Sequence, residues 1–182
     1  MADPFAVFGL EPVFALDGDL LKKRLLRFTR LVHPDFFATA GDEMRGKAEA
    51  ASALLNAAYE TLADDAARAD WIVRHLGGPD ERAERSMPKA FLLEVLDWNE
   101  TLEAARGSSA SAAQIAAVGQ LETELAQRRS ELFKTIAGQL GLLTERSAPL
   151  LALVRQELNA ARYLDKTLLE IAGLRLTQSL SR

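Results

Sequence analysis

Apolar residues recur at helical spacing along most of the chain and predict an all-α protein. The first stripe falls within a narrow arc at about 100° per residue and consists of Leu21, Leu25, Phe28 and Val32. The second stripe lies further along the chain and consists of Ala51, Leu55, Ala58 and Leu62. Asp17 precedes the first stripe where a helix N-cap is expected, and the second helix is predicted to begin near Gly41 or Asp42. Two such helices joined by the loop 33–40 predict an antiparallel helical hairpin.

Three longer helical patterns follow in the second half of the chain. The first runs over about 88–106, the second begins near Ser111, and the third begins between Thr144 and Pro149. The core-facing stripe of the first pattern consists of Phe91, Val95, Trp98 and Leu102. Because the connections between the three patterns are short, we predict an antiparallel three-helix bundle.

The clearest boundary between the two halves is the segment Gly77-Gly78-Pro79-Asp80, which precedes a charged stretch. Two glycines and a proline after a helical pattern indicate a helix end followed by a linker. We therefore predict an N-terminal domain over 1–76, a linker over 77–87 and a C-terminal bundle over 88–182.

Composition narrows the class of protein. The formal net charge of −4 argues against general nucleic-acid binding, which needs a basic balance or a large basic patch. The absence of cysteine excludes disulfides and thiolate ligands, so we expect no cluster or other cofactor held by the chain. The chain has no apolar run of about 18 residues, and its first residues resemble no signal peptide. We therefore expect a cytoplasmic protein without a membrane contact.

The tripeptide His33-Pro34-Asp35 is the strongest candidate for a functional site. Pro34 cannot continue a helix and disfavours helical geometry at His33, so the first hairpin helix is predicted to stop there. An imidazole and an acceptor-only carboxylate are then presented at the tip of the hairpin. The side of that helix opposite the apolar stripe carries the cations Lys23, Arg27 and Arg30. Tip and cations together are typical of a surface that docks an acidic protein partner.

Other interpretations of the tripeptide are open at this point. It could be a simple turn with a helix cap. A metal site is disfavoured because the only other histidine is His75 and there is no cysteine. A hydrolase dyad is also disfavoured, because the proline is expected to hold His33 and Asp35 apart and no serine lies in a nucleophile-elbow pattern.

The first bundle helix carries a second apolar group, which points away from its core stripe. This leucine patch consists of Leu92, Leu93 and Leu96, and the acids beside it include Asp97 and Glu100. On the third bundle helix, Tyr163 likewise falls on the side opposite that helix's own stripe. An apolar patch rimmed by acids indicates a partner site, unless the hairpin or the linker covers it.

The N-terminal part of the chain resembles a J-domain over residues 3–76, which implies a helical hairpin with short flanking helices. In this resemblance 21–32 stands for the basic second helix of that domain, His33-Pro34-Asp35 for its signature, and 56–62 for the end of its third helix. The opening residues are closer to one branch, the HscB-type co-chaperones of iron–sulfur cluster assembly. The segments that carry this closer likeness are 3–10, 14–17, 90–94 and 162–166, so the resemblance covers nearly the whole chain.

The resemblance implies a non-enzymatic co-chaperone with two partners. Its J-domain is expected to contact a DnaK-type, HscA-like chaperone and to accelerate ATP hydrolysis by it. Its bundle is expected to bind the IscU-like scaffold on which clusters are assembled. The chaperone-binding residues would be His33, Pro34, Asp35, Lys23, Arg27 and Arg30. The scaffold-binding residues would be Leu92, Leu93, Leu96, Asp97, Glu100 and Tyr163.

Three positions depart from the pattern of that family. Ala104 replaces a frequent acid, Tyr163 stands where phenylalanine is common, and Phe36 stands where lysine is frequent. Two further alternatives remain at this stage. One is a J-domain protein whose bundle binds a different client or self-associates, and the other is a small helical hydrolase that uses His33 and Asp35.

Overall fold

Seven α-helices and one 3-10 helix account for most of the residues that the computed structural model describes, which are 2–37, 41–106, 110–141 and 147–180. The helices are α1 Pro4–Phe8, α2 Gly18–Val32, the 3-10 helix Pro34–Phe37, α3 Asp42–Ala63, α4 Asp65–His75, α5 Lys89–Ala105, α6 Ala112–Gly141 and α7 Ala148–Leu180. These described residues include no strand, which confirms the all-α prediction. Residues 38–40 of the predicted loop, and Thr144 at the earliest predicted start of the last helix, lie outside the described residues.

The predicted hairpin corresponds to α2 and α3, which pack against each other. Asp17 caps α2 as predicted, because its Oδ1 accepts the amide N–H groups of Asp19 at 2.9 Å and Leu20 at 3.0 Å. Leu21 is buried as expected, but the rest of the α2 stripe is only half-buried. A layer of short helices is too thin to enclose the whole stripe, because small domains bury a smaller share of their surface.

The short helices α1 and α4 complete the core of the N-terminal unit. Phe5 and Phe8 of α1 are fully buried, and the ring of Phe5 lies 5.1 Å from that of Trp71 in α4. Gly9 ends α1 in the left-handed conformation at φ 60°, which glycine adopts without strain. Arg24 of α2 then donates to the carbonyl oxygens of Phe8 and Gly9, so it fixes the end of α1 against α2.

The C-terminal unit is built from α5, α6 and α7. The predicted core stripe of α5 is buried along its whole length. Ser111 and Gln114 form a reciprocal capping arrangement at the start of α6, which is where the sequence predicts the helix to begin. Arg128 of α6 binds Glu94 of α5 through two hydrogen bonds of 3.0 and 3.1 Å. This paired contact raises the pKa of the Arg128 guanidinium and fixes α5 in register with α6.

Contacts within the chain divide it into two units, Met1–His75 and Leu76–Arg182. The segment 77–87, for which the sequence predicts a linker, belongs to the second unit in this division. Among the described residues, no helix combines the length and the apolar character that a membrane span requires.

Candidate functional site

The tip of the hairpin begins where α2 ends. His33 is the C-cap residue of α2 and has an extended backbone, with φ −65° and ψ 126°. The 3-10 helix Pro34–Phe37 follows at once, and the amide N–H of Phe36 donates to the His33 carbonyl oxygen at 3.1 Å. The helix therefore stops before Pro34, as the sequence predicts.

His33 and Asp35 lie close together, and the expectation that the proline holds them apart is wrong. Their side-chain atoms Nδ1 and Oδ2 are 3.6 Å apart, because the 3-10 turn folds the chain back. The amide N–H of Asp35 donates to His33 Nδ1 at 3.3 Å. A neutral ring that accepts at Nδ1 carries its proton at Nε2 and can donate it outward. The Asp35 side chain is 87% exposed, which differs from the buried acid of a catalytic triad.

The three predicted cations lie on one exposed face of α2. Lys23, Arg27 and Arg30 have the i, i+4, i+7 spacing that aligns side chains along a helix, and all three are exposed. None of them forms an ion pair with another side chain in the part of the chain that the structure describes. Their charges therefore face solvent and are available to an acidic partner.

Apolar side chains flank the tip and the cations. Leu26, Leu31 and Phe36 are all exposed, and the edge of the Phe36 ring meets His33 at a centroid distance of 6.1 Å. The Phe36 ring therefore supports the imidazole of His33 from one side. The sequence predicts the polar groups of this surface and leaves the role of its leucines open.

The leucine patch lies on the exposed side of α5. Leu92, Leu93 and Leu96 are 44%, 69% and 60% exposed, while the core stripe of the same helix is buried. Asp97 and Glu100 are exposed beside the patch. The patch is therefore accessible and has an acidic border on α5.

Tyr163 of α7 joins the patch from the neighbouring helix. Its half-buried ring meets the ring of Phe91 edge-on at 6.0 Å, and its hydroxyl donates to Asn99 Oδ1 at 3.3 Å. The hydroxyl that distinguishes tyrosine from phenylalanine is thus used in a contact between α5 and α7. Sequence reasoning missed Asn99, although its position three residues after Leu96 and seven after Leu92 places it on the same face of α5.

Residues 79–86 form a strap that is fastened along α7. Arg155, which is fully buried, donates through Nε to the Pro79 carbonyl oxygen at 3.0 Å. Asn159 donates to the carbonyl oxygens of Glu84 at 3.0 Å and Ser86 at 2.9 Å. The strap thus lacks regular secondary structure, yet α7 satisfies the carbonyl groups of Pro79, Glu84 and Ser86.

Two of the three carboxylates within the strap, those of Asp80 and Glu84, accept hydrogen bonds from other residues of the strap. The amide N–H of Ala83 donates to Asp80 and is the main cause that lowers the pKa of that carboxyl. The Ser86 hydroxyl and amide donate to Glu84 and lower its pKa in the same way. These hydrogen bonds therefore favour the ionised form of both carboxylates and stabilise the turn they cap.

Comparison with known proteins gives consistent results for both halves. Residues 87–172 match the model of the family described as the HSCB C-terminal oligomerisation domain. A co-chaperone protein HscB homolog of Paraburkholderia xenovorans is 36% identical over 138 residues, which are 75% of this chain and 76% of that protein. The homolog of Bordetella petrii is 31% identical over 174 residues, which are 95% of this chain and 96% of that protein.

Two solved structures have the same fold. Chaperone HscB from Vibrio cholerae superimposes with a TM-score of 0.77 at 27% identity and covers 97% of this chain and 99% of its own. Human co-chaperone protein HscB superimposes with a TM-score of 0.80 over 97% of this chain and 84% of its own. At 24% identity, the human structure is evidence for the fold alone.

Proposed function

The chain belongs to the HscB co-chaperone family, and from that premise we propose that it couples two proteins during iron–sulfur cluster assembly. Residues 1–76 act as a J-domain that stimulates the ATPase of a DnaK-type, HscA-like chaperone. Residues 88–182 bind an IscU-like scaffold protein and deliver it to the same chaperone in the cytoplasm. In this proposal the protein catalyses no reaction of its own. The observation that carries it is the presence of two exposed sites of opposite chemistry, one on each unit.

The tip of the hairpin is the proposed chaperone contact. The exposed Asp35 carboxylate accepts charge-assisted hydrogen bonds from an arginine of the chaperone, and His33 orients Asp35 through its contact with the Asp35 amide. Loss of such a contact in a desolvated interface costs about 2–5 kcal/mol, which corresponds to a roughly 30-fold or larger fall in productive docking. The exposed cations of α2 act mainly on the rate of association, through the electrostatic field that they add to that face.

The leucine patch is the proposed scaffold contact. Its exposed side chains form an apolar centre, and the acids beside them form part of a polar rim, which is the usual layout of a protein interface. Tyr163 adds an aromatic group whose ring position is fixed by Phe91 and Asn99. A protein that holds the scaffold on one unit and the chaperone on the other raises the effective concentration of scaffold at the chaperone.

Steady-state ATP hydrolysis by the cognate HscA-like chaperone tests the proposal. The natural chain and its His33→Gln variant are each assayed with and without the IscU-like scaffold. We expect the natural chain and the scaffold to stimulate hydrolysis synergistically, and the variant to lose the stimulation. Stimulation that ignores the scaffold would assign the bundle a different client. No stimulation by the natural chain would reject the J-domain role.

A further inference from the structure

A pocket of about 540 Å³ opens between the strap and α7, and its lining is strongly basic. Four cations and one carboxylate line it, namely Arg82, Arg85, Arg162, Lys166 and Glu81. This concentration of positive charge stands in a chain whose formal net charge is −4. The pocket is therefore positively charged although the chain as a whole is negatively charged, and it is complementary to an acidic ligand.

Little in the surrounding structure neutralises these cations. Glu81 forms an ion pair with Arg162, while Arg85 and Lys166 form none within the described residues. The two other strap carboxylates, Asp80 and Glu84, accept hydrogen bonds from the strap itself. An acidic group that enters the pocket would meet exposed cations without having to displace an ion pair from Arg85 or Lys166.

The strap presents its two arginines from a fixed backbone. Arg155 and Asn159 fasten both ends of the strap to α7, and the Asp80 side chain accepts the amide N–H groups of Arg82 and Ala83, both at 2.9 Å. The backbone that carries the cations is thus ordered before any ligand arrives. Pre-ordering of this kind removes part of the entropic cost of binding.

Tyr163 connects the pocket with the helix that carries the leucine patch. Tyr163 lines the pocket and also contacts Phe91 and Asn99 of the helix that carries the patch. Met87, which lines the pocket as well, lies two residues before α5 begins. A protein that covers the patch together with Tyr163 would therefore reach the pocket.

We propose that the basic pocket binds acidic side chains of the same protein that covers the leucine patch. This inference rests on the proposed function and adds a second, electrostatic subsite to the scaffold contact. The docking surface then has an acidic rim at Asp97 and Glu100 and a basic pocket at the strap. An acidic side chain of the scaffold is repelled by the acidic rim and attracted by the basic pocket. The two opposite charges therefore determine the orientation in which the scaffold binds.

Binding of the cognate IscU-like scaffold to the full chain tests the proposal. Calorimetry at low and high salt compares the natural chain with the Arg85→Glu/Lys166→Glu double variant. The matched control is Lys134→Glu, which reverses an exposed cation on α6 away from the pocket lining. We expect the double variant to bind roughly tenfold more weakly at low salt and to show a flatter salt dependence, because two attractive contacts have become repulsive. The Lys134→Glu variant should bind within about twofold of the natural chain.

The outcomes separate this inference from the proposed function. If the natural chain does not bind the scaffold, both fall together. If it binds and Leu92→Ala/Leu96→Ala weakens binding while the charge reversals do not, the basic pocket has no part in the contact and only the inference is overturned. Inorganic phosphate supplies the last check. If it binds at Arg85 and Lys166 in the natural chain without weakening scaffold binding, the pocket is a site for small anions and the inference is likewise overturned.

Discussion

The hairpin tip and the leucine patch are held in place in different ways. At the tip, two hydrogen bonds, from the Asp35 amide to His33 Nδ1 and from the Phe36 amide to the His33 carbonyl oxygen, run within four consecutive residues. At the patch, the leucines have no such local restraint, and Tyr163 reaches Asn99 across 64 residues of sequence. A site that is built locally can be recognised as a short motif, whereas a site that is built by packing depends on the whole bundle. The two sites should therefore respond differently to substitution.

The largest expected effect is at the tip. Asp35→Asn keeps the shape of the side chain but removes the charge, so stimulation of the chaperone ATPase should fall about 30-fold or more. Scaffold binding should be unchanged, because the patch lies on the other unit. Glu11→Gln, an exposed acid elsewhere in the N-terminal unit, is the control and should stimulate normally. Equal loss in both variants would mean that overall charge, and not the position of Asp35, controls docking.

Substitution in the leucine patch should have the opposite effect, a loss of scaffold binding with ATPase stimulation unchanged. Leu92→Ala/Leu96→Ala should weaken scaffold binding at least tenfold, since central apolar anchors typically contribute more than about 1 kcal/mol each. ATPase stimulation in the absence of scaffold should not change. The control, Leu153→Ala/Leu169→Ala, removes two exposed leucines of α7 and should bind normally. Scaffold affinity that survives the first double variant would show that the patch is not the anchor.

One arginine in each unit allows the two units to be compared in stability, namely the fully buried Arg155 and the half-buried Arg24. Arg155→Met deletes the hydrogen bond to Pro79, so the C-terminal unit should lose about 1–3 kcal/mol. Arg24→Met removes the donor that ends α1 and should weaken the N-terminal unit instead. Trp71 and Trp98 lie in different units, so fluorescence of single-tryptophan variants during urea unfolding follows each unit separately. Parallel losses in both units for either variant would contradict this separation.

The smallest expected effect is a pH-dependent change in thermal stability at Glu157 of α7. Partial burial raises the pKa of this carboxyl, and the charge of Arg128 opposes the rise. Because the folded pKa lies above the ordinary value of 4.5, ionisation near neutral pH reduces stability, and the reduction disappears below that value. Glu157→Gln should therefore melt about 1–2 °C higher at pH 7 and no higher at pH 4. A gain that persists at pH 4 would point to packing as its cause.

Periodicity alone predicted α2, α3, α5, α6 and α7 and the core stripe of α5, because each depends on spacing within one helix. The cap at Asp17 was predictable for the same reason. Periodicity also separated the leucine patch from that stripe, but it left open whether another part of the chain covers the patch. Two features of the structure could not be predicted from the sequence. The approach of His33 to Asp35 depends on how tightly the chain turns after Pro34, which residue types do not determine. The attachment of the strap depends on Arg155, which lies 76 residues away in sequence from the carbonyl group it binds.

The attachment of the strap to α7 should also protect this segment from proteolysis. A glycine- and proline-containing stretch with arginines at 82 and 85 has the composition of a trypsin-sensitive connector. Cleavage there first requires the strap to detach from Arg155 and Asn159, because a protease acts on locally unfolded chain. Limited digestion should therefore leave these two sites intact for as long as the bundle stays folded, and a cut at either arginine would report the opening of the strap.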